Sequence, residues 1–217
     1  MKKAIIFDLD GTLLHTLPDI RDAINCALSE CGYDYSFDLE GTKTLIGDGA
    51  DMLVRRALKE KGEDEEAFLQ LKKAYMPKYR LYQGNTTAPF EGMSETLLAL
   101  KKRGMRLFIA SNKPHALAKA IIARCFPEGL FESVAGHQEG DPVKPNPIQV
   151  QRIFENYAIS PADCVYVGDS VVDVQTAENA HIPCGICLWG YGKYTEEVLA
   201  RCAYVFRKPE DLLTILK

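Results

Sequence analysis

Apolar residues along this chain follow two alternating patterns. Short continuous runs occur at Ala4-Ile5-Ile6-Phe7, Met105 to Ala110, Cys164 to Val167, Cys184 to Leu188 and Ala203 to Phe206, with a weaker one at Ser133 to Ala135. Each is long enough for a strand and too short for a helix. Unbroken apolarity, rather than alternation, marks strands buried on both faces, as in a parallel sheet. Between these runs the apolar positions recur at helical spacing: Thr96, Leu97 and Leu100, then Leu117, Ala120, Ile121 and Ala123, then Val150, Ile153, Phe154 and Tyr157. Strands alternating with helices predict an α/β fold, a Rossmann-like parallel sheet core flanked by helices.

The stretch from 15 to 88 breaks this alternation, with several helical patterns and no convincing strand. It reads as an inserted all-helical domain, which leaves 1–14 and 89–217 as the α/β core. Its first helix starts at Pro18-Asp19, where proline suits the first turn and an acid suits the positive end of the dipole. Ile20, Ala23, Ile24, Ala27, Leu28 and Cys31 form one apolar face, and Gly32 supplies the stop. A second helix carries Met52, Leu53, Ala57 and Leu58. A third carries Phe68, Leu71, Tyr75, Tyr79 and Tyr82, with Pro77 expected to start a new turn or kink it.

The 217 residues carry 26 Lys and Arg against 30 Asp and Glu, a formal charge of -4. Such a balance leaves no broad positive field for nucleic acid or anionic lipid, and no apolar run approaches the roughly 20 residues of a membrane span. A cytoplasmic protein handling small molecules, monomeric or homodimeric, is the expectation. Seven cysteines are scattered without framework spacing. Cys184 and Cys187 have the C-x-x-C spacing of a zinc or redox site, yet no second pair follows, and the segment also reads as a strand of packed thiols.

Candidate chemistry sits where the apolar runs stop. Asp8-Leu9-Asp10-Gly11-Thr12 follows the first run directly, and ligands of open parallel sheets bind outside the carboxyl ends of the strands. Residues two apart in an extended segment point the same way, so Asp8 and Asp10 can face one site. Paired carboxylates repel, and a hard cation such as Mg²⁺ would hold them together; a turn with surface acids is the plainer alternative. The second run ends in Ser111-Asn112-Lys113, with Pro114 placed to open a helix, which makes either an anion site or an ordinary cap. Val165-Tyr166-Val167 ends in Gly168-Asp169-Ser170, with Asp173 four residues after Asp169. Asp169 can complete the oxygen shell of the same ion or cap the next helix. Lys144 is set among Pro142, Pro145 and Pro147, where a fixed ammonium could neutralise phosphate charge. Each signal has an ordinary structural alternative; together they point to phosphate and a cation.

These residues resemble the haloacid dehalogenase superfamily, whose motifs in order are Asp-x-Asp-Gly-Thr, a strand-terminal Ser or Thr, a Lys, and Gly-Asp-x-x-x-Asp. The likeness covers essentially the whole length, because a helical insert after the first motif looks like that family's cap domain. Within it the closest likeness is to phosphoglycolate phosphatases, through Ile46-Gly47-Asp48-Gly49-Ala50-Asp51, Ser111-Asn112-Lys113-Pro114, Lys144-Pro145-Asn146-Pro147 and Trp189-Gly190-Tyr191-Gly192. His15 replaces the usual acid soon after Asp-Gly-Thr, a departure that bears on the cap hinge.

The resemblance implies an Mg²⁺-dependent phosphatase acting on a small phosphorylated metabolite, 2-phosphoglycolate first. Asp8 attacks phosphorus and forms an aspartyl phosphate; Asp10 protonates the leaving oxygen and then activates water. Mg²⁺ would be held by Asp8, the Asp10 carbonyl and Asp169. Ser111, the Asn112 amide and Lys144 would bind the transferring group near Gly11, with Thr12 and Asp173 supporting it from behind. Gly47 and Gly49 would present amides to a substrate carboxylate, or simply turn the chain, and the cap would close over the site. His15, His115, His137 and His181 are read as structural or solvated. The rival readings are a phosphomutase of the β-phosphoglucomutase type, a pyrophosphatase, and a non-catalytic phosphate-binding module.

Overall fold

A computed structural model of the protein describes residues 2–216. Residues through His15 join Pro89 onward in one compact unit, and Thr16–Ala88 form the other.

In the first unit, six strands make one parallel sheet: β1 (Ala4–Phe7), β2 (Arg106–Pro114), β3 (Ser133–His137), β4 (Cys164–Gly168), β5 (Cys184–Cys187) and β6 (Tyr204–Phe206). Their order across the sheet is β3-β2-β1-β4-β5-β6. β1 therefore lies between β2 and β4, at the point where the winding direction reverses and a crevice opens outside the strand ends. Register sets the ends of β1 and β4 level with Ile109 and Ala110 of the longer β2, since Phe7 pairs with Ile109 on one side and with Val167 on the other.

Strand period two sends alternate residues to opposite faces. Ile5, Phe7, Leu107, Ile109, Val165 and Val167 enter a core with α5 (Met93–Lys102) and α6 (His115–Cys125). Ala4, Ile6, Phe108, Ala110 and Tyr166 enter another with α7 (Ile148–Tyr157) and α8 (Val171–Asn179). Both faces are thus covered, which is why the runs are unbroken. Cys184 and Cys187 are buried on opposite faces, Cys187 in the first core and Cys184 in the second, so they pack rather than share a ligand.

The second unit is helical: α1 (Leu17–Glu30), α2 (Leu39–Lys43), α3 (Gly49–Ala57) and α4 (Glu65–Tyr82), with α1 against α4. One expectation is narrowed here and another extended. Pro77 neither ends nor restarts α4, because it removes only one donor while buried Tyr75 and Tyr79, stacked at 5.2 Å, anchor the helix on either side. Asp19 is more than a dipole charge. It is buried and accepts from the backbone N–H groups of Gly84, Thr86 and Thr87 and from both threonine hydroxyls, at 2.6 to 3.0 Å. Those bonds outweigh the cost of burial and hold its carboxyl below the usual range.

Candidate functional site

Asp8 leaves β1 with its N–H donating to the Val167 carbonyl at 2.8 Å, which carries the strand geometry one residue further and fixes the start of the turn. Gly11 makes the turn possible twice over. Its φ of 86° is left-handed, and a Cβ there would stand 2.5 Å from Asp169 Oδ2. Thr12, fully buried, donates its hydroxyl to Asp169 Oδ1 at 2.9 Å.

Lys144 is the hub. Its Nζ donates to Asp8 Oδ1 at 2.7 Å, to Asp173 Oδ1 at 2.7 Å and to the Tyr166 hydroxyl at 3.0 Å, which matches the three donors of an ammonium. Burial opposes its charge, but the carboxylates of Asp173 and Asp8 hold it well above the ordinary lysine range. Asn112 aims the lysine from behind: its side-chain oxygen accepts from the Lys144 N–H at 2.7 Å and its amide donates to the Lys144 carbonyl at 3.3 Å. Asp173 is the third residue of α8 and forms a capping box with Ser170, accepting from the Ser170 hydroxyl and from the N–H groups of Ser170 and Asp169.

Asp8, Asp169 and Asp173 each bring one carboxylate oxygen within 4.8 Å of the others. Burial pushes the Asp8 carboxyl up to about 6, with Lys144 pulling it down and Asp173 pushing it up. Burial, together with the charges of Asp173 and Asp8, pushes Asp169 up to about 8, against hydrogen bonds from the Tyr191 N–H and Thr12. Three carboxylates face one buried ammonium, so a further positive charge would offset the burial and the mutual repulsion that raise these values. The donor set is all oxygen, which fits a hard divalent cation. Asp173 and Asp169 each accept hydrogen bonds on both oxygens, Asp173 from Lys144 and Ser170 and Asp169 from Thr12 and the Tyr191 N–H.

Ser111 is buried on β2, and its carbonyl accepts from the Gln149 side chain at 3.1 Å. The helix expected to open at Pro114 does so, starting at His115. β2 continues to Pro114, which is the N-cap of α6, because an irregularity in the β2–β3 ladder keeps Asn112 and Lys113 in the strand. Asp10 is partly exposed and receives the Lys113 ammonium at 3.2 Å. The α/β unit thus brings together Asp8, Asp10, Gly11, Thr12, Ser111, Asn112, Lys144, Asp169 and Asp173. Gly47 and Gly49 belong to the helical unit, both left-handed, at φ of 115° and 88°. Arg56 ties the loop that holds them, through the Asp48 carboxylate and the Leu45 and Ile46 carbonyls.

The Trp189-Gly190-Tyr191-Gly192 motif, to which the sequence assigns no role, packs around Asp169. Tyr191 N–H donates to Asp169 Oδ2 at 2.7 Å, the Tyr194 hydroxyl donates to the Asp169 carbonyl, and the Trp189 indole donates to the Thr12 carbonyl at 3.0 Å. A Cβ on Gly190 would lie 2.3 Å from Asp169 Cβ, and one on Gly192 would lie 2.0 Å from the Asp169 carbonyl oxygen. The available signal was a glycine-rich segment directly after the β5 run, at a strand end. His15 joins the same surface, with Nδ1 3.0 Å from the Tyr191 hydroxyl.

Residues 5–186 match the family model described as haloacid dehalogenase-like hydrolase. Among curated proteins, a phosphoglycolate phosphatase of Aquifex aeolicus (strain VF5) is 31% identical over 99% of this chain and 96% of its own length. One of Rhodospirillum rubrum is 32% identical over 89% of this chain and 82% of its own. Among solved structures, a predicted phosphoglycolate phosphatase from Haemophilus somnus 129pt superposes with a TM-score of 0.91 at 28% identity, covering 100% of this chain and 98% of that one.

Proposed function

Because this chain belongs to the haloacid dehalogenase-like hydrolases, we propose that it hydrolyses a small carboxylated phosphomonoester, 2-phosphoglycolate first, through a phosphorylated Asp8. The observation that carries the reading is the pairing of Asp8 with Lys144 at the end of the central strand, 2.7 Å apart and both buried. Lys144 engages one oxygen of Asp8, and the other attacks phosphorus in line with the ester oxygen. Asp10, two residues on and partly exposed, donates a proton to the departing alkoxide and later takes one from the water that cleaves the aspartyl phosphate. Ser111, the Asn112 amide and Lys144 receive the phosphoryl oxygens as their charge develops. Asp8, the Asp10 carbonyl and Asp169 would hold Mg²⁺, with Thr12 and Asp173 fixing their neighbours. Bound there, the ion offsets charge between nucleophile and phosphate. The Gly47 and Gly49 amides are assigned to the substrate carboxylate.

The relatives named phosphoglycolate phosphatase support the choice of substrate. Phosphate release with Mg²⁺ from a panel of 2-phosphoglycolate, pyrophosphate, sugar phosphates and nucleotides tests it. The highest kcat/KM is expected for 2-phosphoglycolate. Isomerised sugar phosphate without free phosphate would support a mutase instead, and turnover of none of the panel would overturn the reading.

A further inference from the structure

The irregular end of β2 places a second lysine on a second aspartate. Ser111 pairs with Gly136 on β3 and Pro114 pairs with the very next residue, His137, so the register shifts across Asn112 and Lys113, two extra residues of a bulge. Bulges of this kind re-aim side chains and are over-represented beside active sites. Here the two extra residues do different things. Asn112 clasps the backbone of Lys144, and Lys113 donates from Nζ to Asp10 Oδ1 at 3.2 Å.

The bulge is seated on a glycine. A Cβ on Gly136 would lie 2.7 Å from the Lys113 carbonyl oxygen and 2.6 Å from His115 Cα, so any side chain there would push the bulge out of place. The Gly136 N–H also donates to His115 Nδ1 at 3.3 Å, which fastens the far side. Lys113 itself is buried, its side chain 2% exposed against 20% for Asp10. A lysine so deeply placed needs an anionic partner, and Asp10 supplies it while staying partly exposed.

We infer that Lys113 is the positioning residue of Asp10. Its ammonium holds one carboxylate oxygen so that the other is aimed at the leaving oxygen of the ester. Each reacting carboxylate then has its own lysine, Lys144 for the nucleophile and Lys113 for the acid–base. This rests on the assignment of Asp10 proposed above, and it extends that assignment to a residue whose side chain need not touch substrate.

The test uses leaving groups. An alkyl phosphate such as 2-phosphoglycolate expels a poor leaving group that needs a proton, whereas p-nitrophenyl phosphate expels a stable phenolate that does not. Because kcat/KM reports steps up to formation of the aspartyl phosphate, Lys113→Met should lower kcat/KM for 2-phosphoglycolate by about tenfold or more while changing that for p-nitrophenyl phosphate by less than about threefold. In an Asp10→Asn background the same substitution should leave the ratio of the two substrates unchanged. Gly136→Ala, which displaces the bulge but keeps the ammonium, should bias the ratio in the same direction, and Lys113→Gln serves the same purpose if Lys113→Met does not fold. Equal losses on both substrates, or none, would overturn the inference. Absence of phosphate release by the wild-type protein from either substrate would instead sink the phosphatase reading on which it stands.

Discussion

Asp173 Oδ1 and Lys144 Nζ are 2.7 Å apart with both side chains buried, the same distance that separates Lys144 from Asp8. The lysine is therefore suspended between a carboxylate that anchors it to the first turn of α8 and a carboxylate proposed to react. Removing the anchor would leave a buried ammonium with one carboxylate and the Tyr166 hydroxyl, and α8 without its capping box. Asp173→Ala is expected to lower the unfolding free energy by about 3 kcal/mol or more, read from urea titration. Asp173→Asn keeps one oxygen acceptor for the cap and should cost less. Equal stability for Asp173→Ala and wild type would contradict this arrangement.

The raised carboxyls make the metal-free protein sensitive to alkali. Asp8 and Asp169 sit at about 6 and about 8 in the fold, against an ordinary value of about 4 in an unfolded chain. Between those values the folded protein keeps protons that the unfolded chain has lost, so stability falls as pH rises from about 4 to about 8 and levels off above. Lys144, whose value is raised, keeps its contribution throughout that window. Mg²⁺ competes with those protons, so the gain in Tm on adding it should grow as pH rises across the same range. Melting curves with and without Mg²⁺ check this, and a gain that is flat or shrinks with pH would count against a cation on these carboxylates.

Gly190 offers a way to disturb Asp169 without touching its charge. The Cβ introduced by Gly190→Ala would meet Asp169 Cβ at 2.3 Å, so the carboxylate must move while the fold around it need not. The Mg²⁺ concentration giving half of the thermal stabilisation should rise by about tenfold or more. An unchanged midpoint would show that the loop after β5 does not set the ligand's position.

In the helical unit, Asp19→Ala would strip the acceptor from three backbone N–H groups and two hydroxyls. A loss of about 2 kcal/mol is expected, with faster amide exchange concentrated at Gly84, Thr86 and Thr87. Since the Asp19 carboxyl is held below its ordinary value, its contribution is present above about pH 4 and disappears as pH falls through the folded value. Unchanged exchange at those three amides would contradict the assignment.

What was legible in the sequence was whatever a strand end announces by itself. Asp8 and Asp169 each follow an apolar run, and a run buried on both faces has no polar residue to blur its limit. Asp8, Ser111 and Asp169 could be placed on one edge because the apolar runs of neighbouring parallel strands stop at the same level. Lys113 was hidden, because the bulge that turns it depends on Gly136, a residue of another strand. The clasp of Asn112 on Lys144 and the cradle of Tyr191 and Tyr194 around Asp169 are long-range contacts with no local spacing to betray them. Pro77 starts no new turn for the same reason: its local effect is to interrupt a helix, yet α4 runs through it with Tyr75 and Tyr79 packed on either side.

The central claim is that phosphate passes through Asp8, and a rapid-quench experiment tests it most directly. Wild-type protein mixed with Mg²⁺ and ³²P-labelled substrate, then quenched in acid within one turnover, should carry label on the peptide containing Asp8, releasable by hydroxylamine as an acyl phosphate is, and Asp8→Asn should carry none and release no phosphate. Full turnover with no trapped label, label on another residue, or undiminished turnover by Asp8→Asn would contradict the account.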